Sequence, residues 1–274
     1  MIIIRLAGGL GNQIFQLGAG LFLANQGGHQ TIMIDDSSLT KYSIVRTNKL
    51  TFFFDLKACP YNIVYKRTLR TIFRTSRVLP LKIKKWPFVS DRNFQTIIAD
   101  RQPRLRILDG YFQTCLSQKV FDAIRDLLAI LLVFPCNTRN NDSTCAVHIR
   151  GGDFIQLGRT RVAPPEFYFK SMDIMVKKYN IKKFKVVTDD HDYARTIMHK
   201  SPFPYTYSHG DIVSDFHEIA RHSKRILSSS TFSLWASALG DNRNGIVLAP
   251  KFWFPGQKRE IYLPNELRIP ESST

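Results

Sequence analysis

Residues 144–153 read TCAVHIRGGD, an apolar run that closes on a histidine, an arginine, two glycines and an acid. A short apolar run of this kind makes a strand buried on both faces, as in parallel sheets. A cation followed by two glycines then carries a guanidinium to the rim of such a sheet, where backbone approaches a ligand closely. The planar fork of Arg150 matches phosphate oxygens, and Asp153 either orients that fork or binds a neighbouring hydroxyl. The competing reading is an ordinary strand end with a surface Arg150–Asp153 pair.

Downstream of this stretch the pattern is regular. Strand-like runs at 184–188, 205–207, 225–228 and 246–249 alternate with helical stretches at 165–179, 192–199, 212–222 and 231–239. Such alternation predicts a parallel sheet wound with helices on both faces. Upstream, Asn137 to Ser143 (NTRNNDS) is a cluster of turn formers and the natural linker, so the chain divides into α/β domains of 1–140 and 141–274.

The first half opens in the same manner. Met1 to Leu6 is an apolar strand, Ala7 to Gly11 a glycine turn, and the run to Asn25 a helix, with a second strand at Gln30 to Asp35. That order puts N–H groups and a helix N-terminus around an anion. It is neither a dinucleotide fingerprint nor a P-loop: the third glycine position is Ile14, and no Gly-Lys-Ser/Thr follows. With both halves opening alike, their two sites are expected across one cleft.

The middle of the first half is less regular. Phe52 to Phe54 and Tyr61 to Tyr65 read as strands or as packed loop, and Arg104 to Phe112 as a strand. Ser117 caps a helix running through Leu132, which Pro135 ends. Over Lys66 to Val78, Arg67, Arg70, Arg74 and Arg77 share one side of a helix and Leu69, Ile72 and Phe73 another. This basic amphipathic helix either presents a solvated face or docks on anionic lipid or a charged acceptor.

Lysine and arginine outnumber aspartate and glutamate by 39 to 22, and a formal charge of +17 favours an anionic partner. Nucleic acid is set aside, because the aromatics sit within apolar strand and helix patterns instead of alternating with arginine. No secretion signal or spanning segment is visible, and Cys59, Cys115, Cys136 and Cys145 form no CxxC pair, so a soluble, cytoplasmic protein with reduced thiols is expected.

Three further stretches bear on chemistry. Thr188-Asp189-Asp190-His191-Asp192 holds an Asp-x-Asp that would bind a divalent metal against a diphosphate, cap the next helix, or read a base through one carboxylate. His217-Glu218 with His222 misses the zinc-protease spacing by one residue, which turns the imidazoles roughly 140° apart. Ser228 to Thr231, between a strand and a helix, offers hydroxyls and N–H groups to phosphate, or a plain N-cap. No hydrolase elbow is present.

Taken jointly, Gly8-Gly9-Leu10-Gly11-Asn12-Gln13 with Phe15-Gln16, Gly110-Tyr111-Phe112-Gln113, His148-x-Arg150-x-Gly152-Asp153, Thr188-Asp189-Asp190, Ser230-Thr231-Phe232-Ser233 with Trp235, and Ala249-Pro250-Lys251-x-Trp253-Phe254 resemble the α1,2-fucosyltransferases of bacteria, over residues 1 to about 255. The resemblance implies a GT-B-type fold of two facing Rossmann-like domains, GDP-fucose as donor, inversion, and no metal or other cofactor. It implies an oligosaccharide or lipid-linked glycan as acceptor, in surface polysaccharide assembly; peripheral contact with an anionic membrane is an expectation from the basic stretch 66–78. It places Arg150 on the β-phosphate, His148 and one of Asp189 or Asp190 toward the nucleoside, Ser230 and Thr231 on the phosphate side, and Gly9, Gly11 and Asn12 near the fucose. Many relatives carry a second arginine where this chain has Gly151, and Trp-Trp-Gly where it has Leu234-Trp235-Ala236. Asp153, Asp35 and Asp36 all stand as candidates for the base. The alternatives are a metal-dependent transferase of another nucleotide sugar and a basic binding module without catalysis.

Overall fold

The computed structural model describes residues 1–40, 45–65, 87–100, 105–134, 143–156, 163–240, 242, 245–254 and 257–270. The chain forms two compact units, Met1–Phe134 and Pro135–Thr274. The basic stretch 66–78 and linker residues 137–142 lie outside the described residues.

In the first unit, strands β1 (Ile2–Arg5), β2 (Thr31–Asp35), β3 (Asn62–Tyr65), β4 (Phe88–Val89) and β5 (Arg106–Leu108) form a parallel sheet in the order β3-β2-β1-β5-β4. Helix α1 (Leu10–Gly27) is buried on nearly every side. Added Cβ atoms at Gly18 and Gly20 would lie 2.3 Å from Ile124 Cγ2 and from Ile4 Cδ1 respectively, so these glycines let α1 lie tightly between another helix and β1. That other helix is α3 (Gln118–Ile130), capped as the sequence predicts by Ser117, whose hydroxyl accepts from Val120 N. A shorter helix, α2 (Phe94–Ala99), precedes β5.

Phe52 to Phe54 is not a strand. Leu50–Phe52 is a single 3₁₀ turn, opened by Asn48 Oδ1 accepting from Leu50 N at 3.1 Å, and Phe53 and Phe54 are buried as packing residues. This bond from a side chain to the backbone two residues on offers the chain a turn in place of a ladder.

The second unit holds β6 (Thr144–Ile149), β7 (Lys183–Thr188), β8 (Tyr205–Tyr207), β9 (Lys224–Ile226), β10 (Ile246–Pro250) and β13 (Glu266–Ile269), all parallel, in the order β13-β10-β9-β6-β7-β8. Every residue of β6 is buried, which is why its sequence is a continuous apolar run. Helices α4 (Asp153–Gln156), α5 (Pro165–Tyr179), α6 (His191–Met198), α7 (Ile212–Arg221) and α8 (Thr231–Ala238) connect the strands. The small antiparallel pair β11 (Phe252–Phe254) and β12 (Gln257–Lys258), and β13 itself, carry too little alternation to be read from sequence.

Candidate active site

Each sheet has one point where strand order reverses: between β1 and β5 in the first unit, and between β6 and β9 in the second. Chains leaving neighbouring strands part company there, and the crevice they leave at the carboxyl ends of the strands is where open α/β sheets bind ligands. In the second unit this edge collects Arg150 to Asp153 from β6, Asp189 and Asp190 from β7, Ser228 to Ser230 from β9 and Lys251 from β10.

Arg150 is held from two sides. One terminal nitrogen donates to Asp189 Oδ2 and the other to Asp153 Oδ1, while the guanidinium lies 4.8 Å from the centre of the Phe154 ring. The Arg150 side chain is 17% exposed, and its Nε is buried with no hydrogen-bond partner. Asp153 therefore orients the fork, one of the two roles left open by the sequence. Phe154 was not singled out by the sequence, and its only signal is position: it follows Asp153 on the first turn of α4.

The two acids after β7 hold the glycine turn. Asp189 Oδ1 accepts from Gly151 N at 3.0 Å, and Asp190 Oδ2 accepts from Gly152 N at 3.0 Å. Asp190 Oδ1 also accepts from Tyr193 N at 3.0 Å, so this residue caps α6. The Asp-x-Asp is split in the process. Asp192 points away, its side chain 93% exposed and paired with Arg195 at 2.7 Å. Gly152 takes φ +49°, and an added Cβ there would lie 2.6 Å from Asp189 Oδ2. At Gly151 an added Cβ would lie 2.6 Å from Asp190 Cβ.

His148, the last but one residue of β6, is 3% exposed, and its Nδ1 is 2.7 Å from Ser228 Oγ across the strand-order reversal. Its ring also lies 5.7 Å from that of Phe232. Burial, and then the nearby Arg150 charge, push its pKa down to about 3, so the imidazole is neutral at physiological pH. The serines that follow β9 all have protein partners. Ser229 Oγ donates to Phe252 O at 3.1 Å, and Ser230 caps α8 by accepting from Phe232 N at 3.3 Å. Thr231 is the first residue of that helix and is half-buried. What this loop offers a ligand is thus the helix N-terminus more than free hydroxyls.

In the first unit the corresponding edge is organised by two glutamines. Gln16 Oε1 accepts from Ala7 N at 3.0 Å while its Nε2 donates to Gly110 O at 2.9 Å, joining the turns after β1 and β5. Gln13 Nε2 donates to Gly8 O and to Thr47 O, each at 3.1 Å. Gly8 takes φ +75°, with Gly9, Gly11 and Asn12 next along the turn and the start of α1. Asp91, which the sequence gave no reason to select, accepts from Tyr111 N at 3.0 Å and Phe112 N at 2.7 Å and so holds Phe112 at φ +60°. Its partners are 20 and 21 residues away, beyond the reach of any periodic signal. Asp35 is fully buried and accepts from Ser37 N, whereas Asp36 borders a cavity.

Residues 1–267 match the model of glycosyl transferase family 11. An O-antigen biosynthesis glycosyltransferase of Escherichia coli, WbnK, is 23% identical over 93% of this chain and 95% of its own length. An α-1,2-colitosyltransferase of Escherichia coli is 21% identical over 96% of both chains. Among solved structures, fucosyltransferase NodZ from Bradyrhizobium superposes with a TM-score of 0.54 at 13% identity, over 87% of this chain and 92% of that one. POFUT1 in complex with GDP-fucose gives 0.53 at 12% identity, over 96% and 97%. At such identity the likeness is one of fold, that of GT-B-type glycosyltransferases.

Proposed function

Because the chain belongs to glycosyl transferase family 11, we propose that it moves L-fucose from GDP-fucose to the 2-hydroxyl of a terminal galactose-like residue in a surface glycan, with inversion and without a metal. The second unit takes the donor and the first the acceptor. The observation that carries this reading is the clamped guanidinium at the strand-order reversal, with a buried Nε that no protein group satisfies. A guanidinium has five N–H donors, and two carboxylates leave several of them for a diphosphate.

Breaking the bond between fucose and phosphate leaves GDP with added negative charge while the sugar becomes oxocarbenium-like. Fixed donors at the leaving oxygen stabilise that state most, because they need no reorganisation as charge develops. Arg150 and the N-terminus of α8 at Ser230 and Thr231 supply them from the donor side. His148, neutral and held by Ser228, faces the nucleoside without adding charge. Asp189 and Asp190 keep lone pairs beyond those given to Gly151 and Gly152, enough for one of them to accept from the base. Gly9, Gly11 and Asn12 are assigned to the fucose, and an acceptor hydroxyl attacking the opposite face of the sugar inverts the centre. Its proton passes to a carboxylate or a water-linked group while the electron pair of the broken bond leaves on GDP.

A panel of nucleotide sugars incubated in excess chelator tests the reading, with product linkage fixed by NMR. GDP-fucose should be consumed and an α-fucoside formed at a 2-hydroxyl. Activity lost to chelator and restored by manganese favours the metal-dependent alternative. The relative named for colitosyl transfer gives a second donor its place in the panel. Preference for a colitosyl donor would keep the chemistry and change the sugar.

A further inference from the structure

Described residues on the carboxyl side of β2 and ahead of the 3₁₀ turn line a half-open cavity of ≈ 480 Å³, among them Asp36, Leu39, Thr40, Arg46 and Asn48. It lies at the carboxyl-end edge of the first sheet, and backbone hydrogen bonds link its described lining. Leu39 N donates to Asp36 O at 3.1 Å and Arg46 N to Leu39 O at 3.0 Å. Thr47, also in the lining, has its carbonyl bound by Gln13, which binds Gly8 as well, so one side chain links the lining to the glycine turn. Tyr65, the last residue of β3, shares a hydrogen bond with the Asn48 side chain and lies near Asp36. Its ring is 44% exposed.

The lining mixes an acceptor-only carboxylate, a donor-only guanidinium, a hydroxyl and an amide with one aliphatic side chain, beside an exposed aromatic ring. A pyranose has the matching make-up: hydroxyls that each donate and accept around the ring edge, and C–H faces that lie on aromatic rings. The volume falls within the range of small-ligand sites.

We propose that this cavity is the subsite for the neutral acceptor sugar, with Asp36, Thr40, Arg46 and Asn48 bonding its hydroxyls and Tyr65 supporting a C–H face. The assignment rests on the functional reading above and gives its acceptor a place. Methyl β-galactoside and lactose serve as probes with the full-length chain and GDP-fucose. Asn48→Ala and Tyr65→Ala should each raise the KM for lactose at least tenfold while the KM for GDP-fucose stays within twofold. Tyr65→Phe, which keeps the ring, should recover most of the loss, and urea melts confirm that all variants fold. Both KM values unchanged, or both raised equally, would overturn the assignment. So would a wild type that hydrolyses GDP-fucose but neither transfers to nor shows saturation-transfer contacts with either galactoside. Failure of the functional reading looks different: the wild type then leaves GDP-fucose untouched.

Discussion

At the scale of single residues the site turns on two cations, one real and one withheld. Arg150 keeps Asp153 and Asp189 apart and compensated; without it, a diphosphate entering the crevice meets those two carboxylates with no guanidinium between them. Removing one donor aimed at developing charge typically costs about 10²- to 10³-fold in rate, roughly 3–4 kcal/mol. Arg150→Ala should lose at least that in kcat/KM for GDP-fucose, and Arg150→Lys should recover little, because a single ammonium cannot span both carboxylates and a phosphate. A folded Arg150→Ala keeping more than about a tenth of wild-type turnover places the phosphate grip elsewhere. The withheld cation is His148. Its folded pKa of about 3 lies below its ordinary 6.5, so the unfolded chain binds the proton first as pH falls. Its contribution to stability is complete above about pH 7 and is lost downward through pH 6.5 toward 3, with a slope of up to about 1.4 kcal/mol per pH unit. Urea melts at pH 7.5, 6 and 5 should show His148→Asn flattening that slope. The residual slope includes His29, His217 and His222, whose pKa values burial also lowers. An unchanged slope in the variant would mean that His148 takes up its proton as readily in the folded as in the unfolded chain.

At the scale of elements, the turn after β6 shows why a motif read by residue type can mislead about which member matters. Where the family resemblance leads one to expect a second arginine, this chain has Gly151, and the simple expectation is a site short of charge. The structure gives a steric reason for the glycine: any Cβ there presses on Asp190, the residue that both caps α6 and binds Gly152. Restoring the arginine should therefore harm this protein. Gly151→Arg and Gly151→Ala alike should cost on the order of 1–3 kcal/mol in thermal or urea unfolding, the usual effect of overpacking, with no gain in donor affinity. An arginine variant that binds GDP-fucose more tightly at unchanged stability would show that the turn has room after all. The same turn marks how far sequence carries. β6, β7, α5 and the Ser117 and Asp190 caps were legible because burial on both faces and capping leave local, short-range signatures. Asp91, the Gln16 bridge and the Ser229 bond to Phe252 O were not selected from the sequence, since each acts across 20 or more residues through a geometry that only the fold creates. Asp189 and Asp190 were found as a pair, but their division of labour between the two glycine N–H groups needed coordinates.

For the whole molecule, the repeated opening of strand, glycines and polar residue is read as two halves and the chain forms two compact units, whereas the surplus of positive charge still needs an explanation. Two sheets and one diphosphate site do not require +17. No helix among the described residues is long and apolar enough to cross a membrane, and a surplus of positive charge attracts a protein to an anionic surface. We propose that Arg67, Arg70, Arg74 and Arg77 supply it, on the strength of their spacing in sequence. Each basic residue near an anionic bilayer contributes about 1 kcal/mol, so a local cluster of four outweighs the same charge spread over the surface. A paired comparison separates the two cases. Replacing the four arginines with glutamine leaves +13, and so does replacing Lys177, Lys178, Lys182 and Lys183, which are exposed around the end of α5 and the start of β7. With vesicles of about one-third phosphatidylglycerol at about 0.1 M salt, a screening length near 10 Å, the arginine variant should co-sediment at least tenfold less than wild type and the lysine variant within about twofold of it. Equal losses in both would assign the binding to net charge, and no loss in either would leave residues 67–77 without a role at the membrane.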